Sequence, residues 1–149
     1  MKRFFLWVST CGPIGKSAIA PGTLASFVTL PFVFVLSGTP FWYVLATVAV
    51  TGLAVWSSAI GAQVLHVKDP GSVVIDEVVG MLITFVWIAA TPKRLLIGFL
   101  LFRFFDILKP PPIRWSEHFP DGIGIVLDDV IAAVYANLIL RFAILYAKL

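Results

Sequence analysis

Three short acidic motifs set in apolar sequence are where this chain could do chemistry: Val73-Val74-Ile75-Asp76-Glu77-Val78-Val79-Gly80-Met81, Phe102-Arg103-Phe104-Phe105-Asp106-Ile107-Leu108-Lys109-Pro110 and Leu127-Asp128-Asp129-Val130. All eight acidic residues fall between positions 69 and 129. A carboxylate in an apolar setting costs several kcal/mol unless a partner, a metal or water compensates it. Clusters of this kind predict one shared polyacidic site, most economically for a divalent cation. Hard cations such as Mg²⁺ bind through one or two carboxylates together with substrate phosphate and water. Arg103, Lys109 and Arg114 supply cationic donors for phosphate oxygens, and Arg103 lies one helical turn from Asp106. The combination predicts phosphoryl chemistry, with metal and cations offsetting the charge of the transition state.

Blander readings exist for each motif. Asp76-Glu77 and Asp128-Asp129 could be first-turn acids favoured by a helix dipole, and Arg103 with Asp106 could be an i, i+3 ion pair. One such reading is easy to accept, but a chain that otherwise avoids acids has no structural need for three. His66 and His118 read as interfacial residues rather than ligands. Gly12-Pro13-Ile14-Gly15-Lys16-Ser17 imitates a phosphate-binding loop, yet Thr10 stands where that pattern needs its first glycine. Cys11 is followed six residues later by Ser17, not by the arginine a cysteine phosphatase would use.

The elements that must position these residues are apolar and long. Hydrophobic residues make up 60% of the 149 positions and the mean hydropathy is +1.00, which predicts an integral membrane protein. Five segments can be drawn, over 24–36, 41–65, 73–90, 95–108 and 123–146. The second exceeds the roughly 20 apolar residues that a spanning helix needs. Pro31 in the first and Arg103 in the fourth leave those two as full spans or re-entrant helices. The expectation is an all-α, polytopic membrane bundle with about four to five embedded helices, plus short amphipathic or loop segments, forming a single membrane-embedded domain over residues 1–149. Ala54, Ser58 and Ala62 at i, i+4 and i+8 predict a close helix contact, as do Ala132 and Ala136.

Met1-Lys2-Arg3 followed by Phe4 to Val8 imitates a signal peptide, but the apolar run is shorter than an h-region, so the amino terminus is expected to be retained. Lys2, Arg3, Lys16, Lys68, Lys109 and Arg114 share a side if all five segments cross, and the positive-inside rule makes that side cytoplasmic. Lys93, Arg94, Arg141 and Lys148 fall on the opposite side in this scheme. The net charge of +3 comes from scattered basic residues with no aromatic-flanked stripe, which argues against nucleic acid and for anionic lipid as partner. An ion or proton transporter is the rival class, because intramembrane carboxylates also mark ion paths. These acids, however, lie near segment ends beside basic residues.

Four blocks in order resemble the bacterial phosphatidylglycerophosphatase A family: Ala20-Pro21-Gly22-Thr23, Asp69-Pro70-Gly71 with Val74 to Gly80, Phe102 to Pro110, and Gly122 to Asp129. The resemblance implies a Mg²⁺-dependent lipid phosphatase of the bacterial inner membrane, converting phosphatidylglycerophosphate to phosphatidylglycerol and phosphate, with its site on the cytoplasmic face. Pro111-Pro112 departs from the Trp-Pro that often follows Lys-Pro in the family. Residues and resemblance together give Asp76, Glu77, Asp128 and Asp129 as expected Mg²⁺ ligands. Asp69 and Asp106 are expected as further ligands or a general base. Thr23, Arg103 and Lys109 are expected to hold the substrate phosphate, attack coming from water or through an aspartyl-phosphate.

Overall fold

The computed structural model describes residues 2–116, 119 and 121–147, with Arg114 and Asp121 described by their backbone alone. His118, Lys148 and the side chain of Arg114 therefore lie outside the described residues. The elements are α1 (Lys2–Ser9), a 3₁₀ turn (Ile14–Lys16), α2 (Pro21–Leu36), α3 (Pro40–Leu65), α4 (Ile75–Thr84), α5 (Pro92–Leu108), α6 (Ile113–Ser116) and α7 (Asp121–Ala147). Among the described residues every regular element is helical, as expected.

Local chemistry explains most boundaries. Pro21, Pro40 and Pro92 open α2, α3 and α5, a position where the missing N–H of proline is no loss. His66 and Lys109, both left-handed, close α3 and α5 with N–H bonds to the carbonyls of Ala62 and Phe105. The hydroxyls of Ser26, Thr29, Thr47 and Thr84 donate to carbonyls one turn back, which disposes of polar groups in apolar helices.

α3 and α7 are long and apolar enough to cross a membrane. Only 28% of the most apolar window of α3 is buried, so this helix is not the core of a soluble protein. Phe27, Phe32, Trp42, Trp56, Leu100, Phe104, Leu138 and Phe142 are likewise exposed on α2, α3, α5 and α7. That much outward apolar surface is suited to lipid rather than water. α7 packs against α3, α4, α5 and α6. Ala54, Ser58, Ala132 and Ala136 are fully buried, so the small-residue stripes do lie at helix contacts.

Three elements differ from the sequence expectation. α1 is a helix where only a short apolar run had been recognised, and α6 interrupts the expected 109–122 loop. The third difference matters most. α4 stops at Thr84 rather than continuing to Ala90, so it is about 15 Å long, half of a roughly 30 Å hydrocarbon layer. A helix ending inside a bundle leaves carbonyls without partners. Here Tyr43 Oη donates to the Leu82 carbonyl at 2.7 Å. Asn137 Nδ2 donates to the carbonyls of Thr84 at 2.9 Å and Val86 at 3.2 Å. Arg141 Nη2 donates to Val86 at 2.7 Å while its Nε donates to Asn137 Oδ1 at 2.8 Å. Two side chains of α7 and one of α3 thus clasp the broken end of α4.

Asn137→Leu removes the donor from the carbonyls of Ile83, Thr84 and Val86 and the acceptor from Arg141 Nε, so it is expected to lower unfolding stability in detergent by about 1–3 kcal/mol. Leu138→Ala, on the exposed neighbouring position, is expected to change the same thermal melt little.

Candidate metal centre

The first turn of α4 carries Asp76 and Glu77, and the third turn of α7 carries Asp129. One carboxylate oxygen from each of the three lies within 4.8 Å of the others. Asp76 and Asp129 are buried and Glu77 is nearly so. Asp76 Oδ1, Glu77 Oε2 and Asp129 Oδ2 are buried with no hydrogen-bond partner among the described residues. Burial, then the charge of Glu77, holds the Asp76 carboxyl well above the usual carboxylate range, and burial raises Glu77 as well. Three converging hard oxygens, with sulfur and imidazole donors missing from the group, fit a small divalent cation such as Mg²⁺. A cation there would satisfy the orphaned oxygens and offset the repulsion among the three acids.

Two cation–carboxylate pairs border the trio. Arg103 Nη1 stands 2.8 Å from Asp106 Oδ2 and 3.9 Å from Glu77 Oε1, so the guanidinium joins α5 to the acids of α4. Lys109 Nζ donates to Asp128 Oδ2 at 2.6 Å. Of the four expected metal ligands, Asp76, Glu77 and Asp129 form the close group, and Asp128 is instead engaged by Lys109. Successive residues of a helix point about 100° apart, which is why the neighbours Asp128 and Asp129 face different partners. Asp69 is exposed on the loop before α4 and near enough for its charge to bear on Asp128.

Gly22 and Thr23 enter from the first turn of α2. A Cβ on Gly22 would sit 2.0 Å from Glu77 Oε1 and 3.4 Å from Arg103 Nη1, so glycine is what lets this helix start lie against the acid–arginine pair. Thr23 is half-buried beside it. The structure also brings in a residue that sequence reasoning had set aside. Cys11 lies within electrostatic reach of Asp76 and Glu77. No local signal announces this, because the contact joins the α1 loop to a helix far along the chain.

A sequence model of the family described as "Phosphatidylglycerophosphatase A" matches residues 7–144. The chain is 36% identical over 139 residues to "Phosphatidylglycerophosphatase A" of Escherichia coli (strain K12), covering 86% of this chain and 76% of that protein. It is 36% identical over 143 residues to a "Putative phosphatidylinositol-3-phosphatase" of Bacteroides thetaiotaomicron, covering 87% and 86% respectively. A shorter stretch of 87 residues is 51% identical to "Phosphatidylglycerophosphatase A" of Haemophilus influenzae, covering 55% of this chain and 51% of that one. No solved structure matches.

Burial, helped by Asp76 and Glu77, pushes the Cys11 thiol up to about 11, so the thiolate is scarce at neutral pH and the group is a poor nucleophile. Maleimide labelling of the folded protein near pH 8 is expected to be much slower than labelling after denaturation. Equal rates would show that the fold neither shields the thiol nor raises its pKa.

Proposed function

Since the chain belongs to the phosphatidylglycerophosphatase A family, we propose that it is a phosphatidylglycerophosphatase that hydrolyses the terminal phosphate monoester of phosphatidylglycerophosphate with the help of Mg²⁺. The observation that carries this reading is the convergence of Asp76, Glu77 and Asp129, with orphaned oxygens, beside the Arg103 and Lys109 cations. Asp76, Glu77 and Asp129 would hold the metal, with Asp128 as a fourth ligand whose present counter-ion is Lys109. A bound Mg²⁺ supplies Lewis-acid polarisation and charge neutralisation at the phosphoryl oxygens. Arg103 and Lys109 donate to the phosphate, and Asp106 keeps the Arg103 guanidinium in line. The helix start at Gly22-Thr23 contributes a hydroxyl and backbone groups to the same phosphate. Water attacks phosphorus as the bond to the glycerol oxygen breaks, and the exposed Asp69 is the carboxylate best suited to take up the water proton and return it to the departing glycerol oxygen.

The setting is proposed to be the bacterial inner membrane, with residues 1–149 acting as one domain. α2, α3, α5 and α7 would cross, and α4 would enter as a half-helix. Lys109 is paired with Asp128 and Lys68 adjoins Asp69, so basic residues stand at the end of the bundle that carries the acids, and the positive-inside rule would make that end cytoplasmic. The transporter reading gains no support. Its carboxylates would be expected at mid-span, whereas these meet where α4 and α7 begin and α5 ends. A second lipid phosphomonoester is the sharper rival, given the name of the Bacteroides relative.

Phosphate release by the purified protein in detergent is expected from phosphatidylglycerophosphate with Mg²⁺ and not with EDTA. Faster release from phosphatidylinositol 3-phosphate would overturn the substrate assignment, and release undiminished by EDTA would overturn the metal. Asp76→Asn is expected to lower turnover by about 10²-fold or more without loss of the thermal transition.

Gly22→Ala would drive the flexible end of Glu77 aside rather than disturb a backbone. Its expected result is a roughly tenfold to hundredfold fall in kcat, the scale of a misplacement near 1 Å, with an unchanged melting temperature.

A further inference from the structure

A cavity of about 280 Å³ is lined by Arg3, Leu6, Trp7, Thr10, Lys16, Leu65 and Ser72, none of them a residue of the acidic centre. Arg3, Leu6, Trp7 and Thr10 follow one another at i, i+3, i+4 and i+7, so a single stripe of α1 and its end forms one wall. Lys16 from the 3₁₀ turn, Leu65 from the end of α3 and Ser72 from the loop before α4 form the rest. Most of the lining surface is apolar, and among the described residues it also holds two cations and two hydroxyls and no carboxylate.

The walls are built rather than incidental. Phe5 stacks on Trp56 of α3 at 5.8 Å with nearly parallel rings, which fixes the rotation of α1. Gly12, at φ +65, turns the chain so tightly against Trp7 that a Cβ there would meet the indole at 3.2 Å. Gly15 N–H donates to the Thr10 carbonyl at 2.8 Å and ties the 3₁₀ turn to the end of α1. Phe4 and Trp7 are exposed at 62% and 60%, on the same outer side as Lys2 and Arg3. Basic and aromatic residues together on a short helix match a membrane interface.

We propose that this cavity is a second lipid site, taking the headgroup of an acidic phospholipid that is not the substrate. Its size admits a phosphate with a small polar substituent and excludes acyl chains, since drug-sized ligand pockets run from roughly 300 Å³ upward. The chains would lie outside, along Phe4 and Trp7. Arg3, Lys16, Ser72 and the Trp7 indole N–H offer donors to the phosphate, and among the described residues no carboxylate lines the cavity beside them. Occupancy would pin α1 to the leaflet on the side where the acidic centre opens.

The test titrates the full chain in neutral detergent with phosphatidylserine or phosphatidylcholine, reading bound lipid by native mass spectrometry. Phosphatidylserine is expected to bind in preference. Lys16→Gln is expected to weaken that binding roughly fivefold and Arg3→Gln with Lys16→Gln roughly thirtyfold, the scale of one and two cations near an anionic surface. Lys93→Gln, which removes the same charge from an exposed position at the start of α5, is expected to leave binding unchanged. Equal losses in Lys16→Gln and Lys93→Gln would reduce the effect to overall charge and overturn the site. Displacement of phosphatidylserine by inorganic phosphate at matching concentration would make it a general anion site and overturn the lipid assignment.

Discussion

Three carboxylates within 4.8 Å of one another in a buried setting are the constraint on which the rest of this structure depends. Two unit charges about 4 Å apart repel by roughly 4 kcal/mol at an effective dielectric of about 20. Such a group persists only with protons or with positive charge close by. The fold answers with Arg103 between Asp106 and Glu77 and with Lys109 on Asp128. It leaves one oxygen on each of Asp76, Glu77 and Asp129 unanswered. A site fully neutralised by its own protein would have no affinity left for a cation, so this incomplete balance is what gives the centre its chemical character.

Holding the acids in place requires a helix whose first turn is at the site and whose last turn lies within the bundle. α4 meets both requirements because its carboxyl end is clasped by Tyr43, Asn137 and Arg141. Arg141 also sets a cation near the negative end of the α4 dipole, while Asp76 and Glu77 occupy its positive end. α7 supplies Asp129 at one level and the clasp two to three turns further along. One rigid helix thus fixes the depth and direction of the other. The bundle packs tightly around Met81, Phe85, Phe102 and the alanines of α7, and around Ala54, Ile75, Val79 and Val126, and leaves its outer faces apolar and exposed.

Much of this was legible in the sequence. Acids in apolar motifs marked the chemistry because their cost in such a setting demands a purpose. The proline run after α5 marked the end of that helix through the backbone donor that proline lacks, whereas the prolines that open α2, α3 and α5 lie just ahead of the segments drawn over 24–36, 41–65 and 95–108. Ala54 with Ser58, and Ala132 with Ala136, marked helix contacts through spacing alone. These are local effects of residue type and period, and they survive without knowledge of any partner.

The tertiary structure decided the remainder. Whether Asp128 or Asp129 joins Asp76 and Glu77 depends on the rotation of α7 about its axis, which is set by packing against α3, α4 and α5. The end of α4 at Thr84 lies in an unbroken apolar run, and its cause is a set of donors more than fifty residues further along for Asn137 and 39 residues back for Tyr43. The approach of Gly22 to Glu77 and of Cys11 to both acids of α4 likewise joins distant parts of the chain. The sequence by itself determined which residue types would do chemistry and on which helices they ride, since apolar periodicity and the cost of buried charge are local. Which side chains meet was decided only by helix rotation and depth, because those follow from how all the helices pack at once.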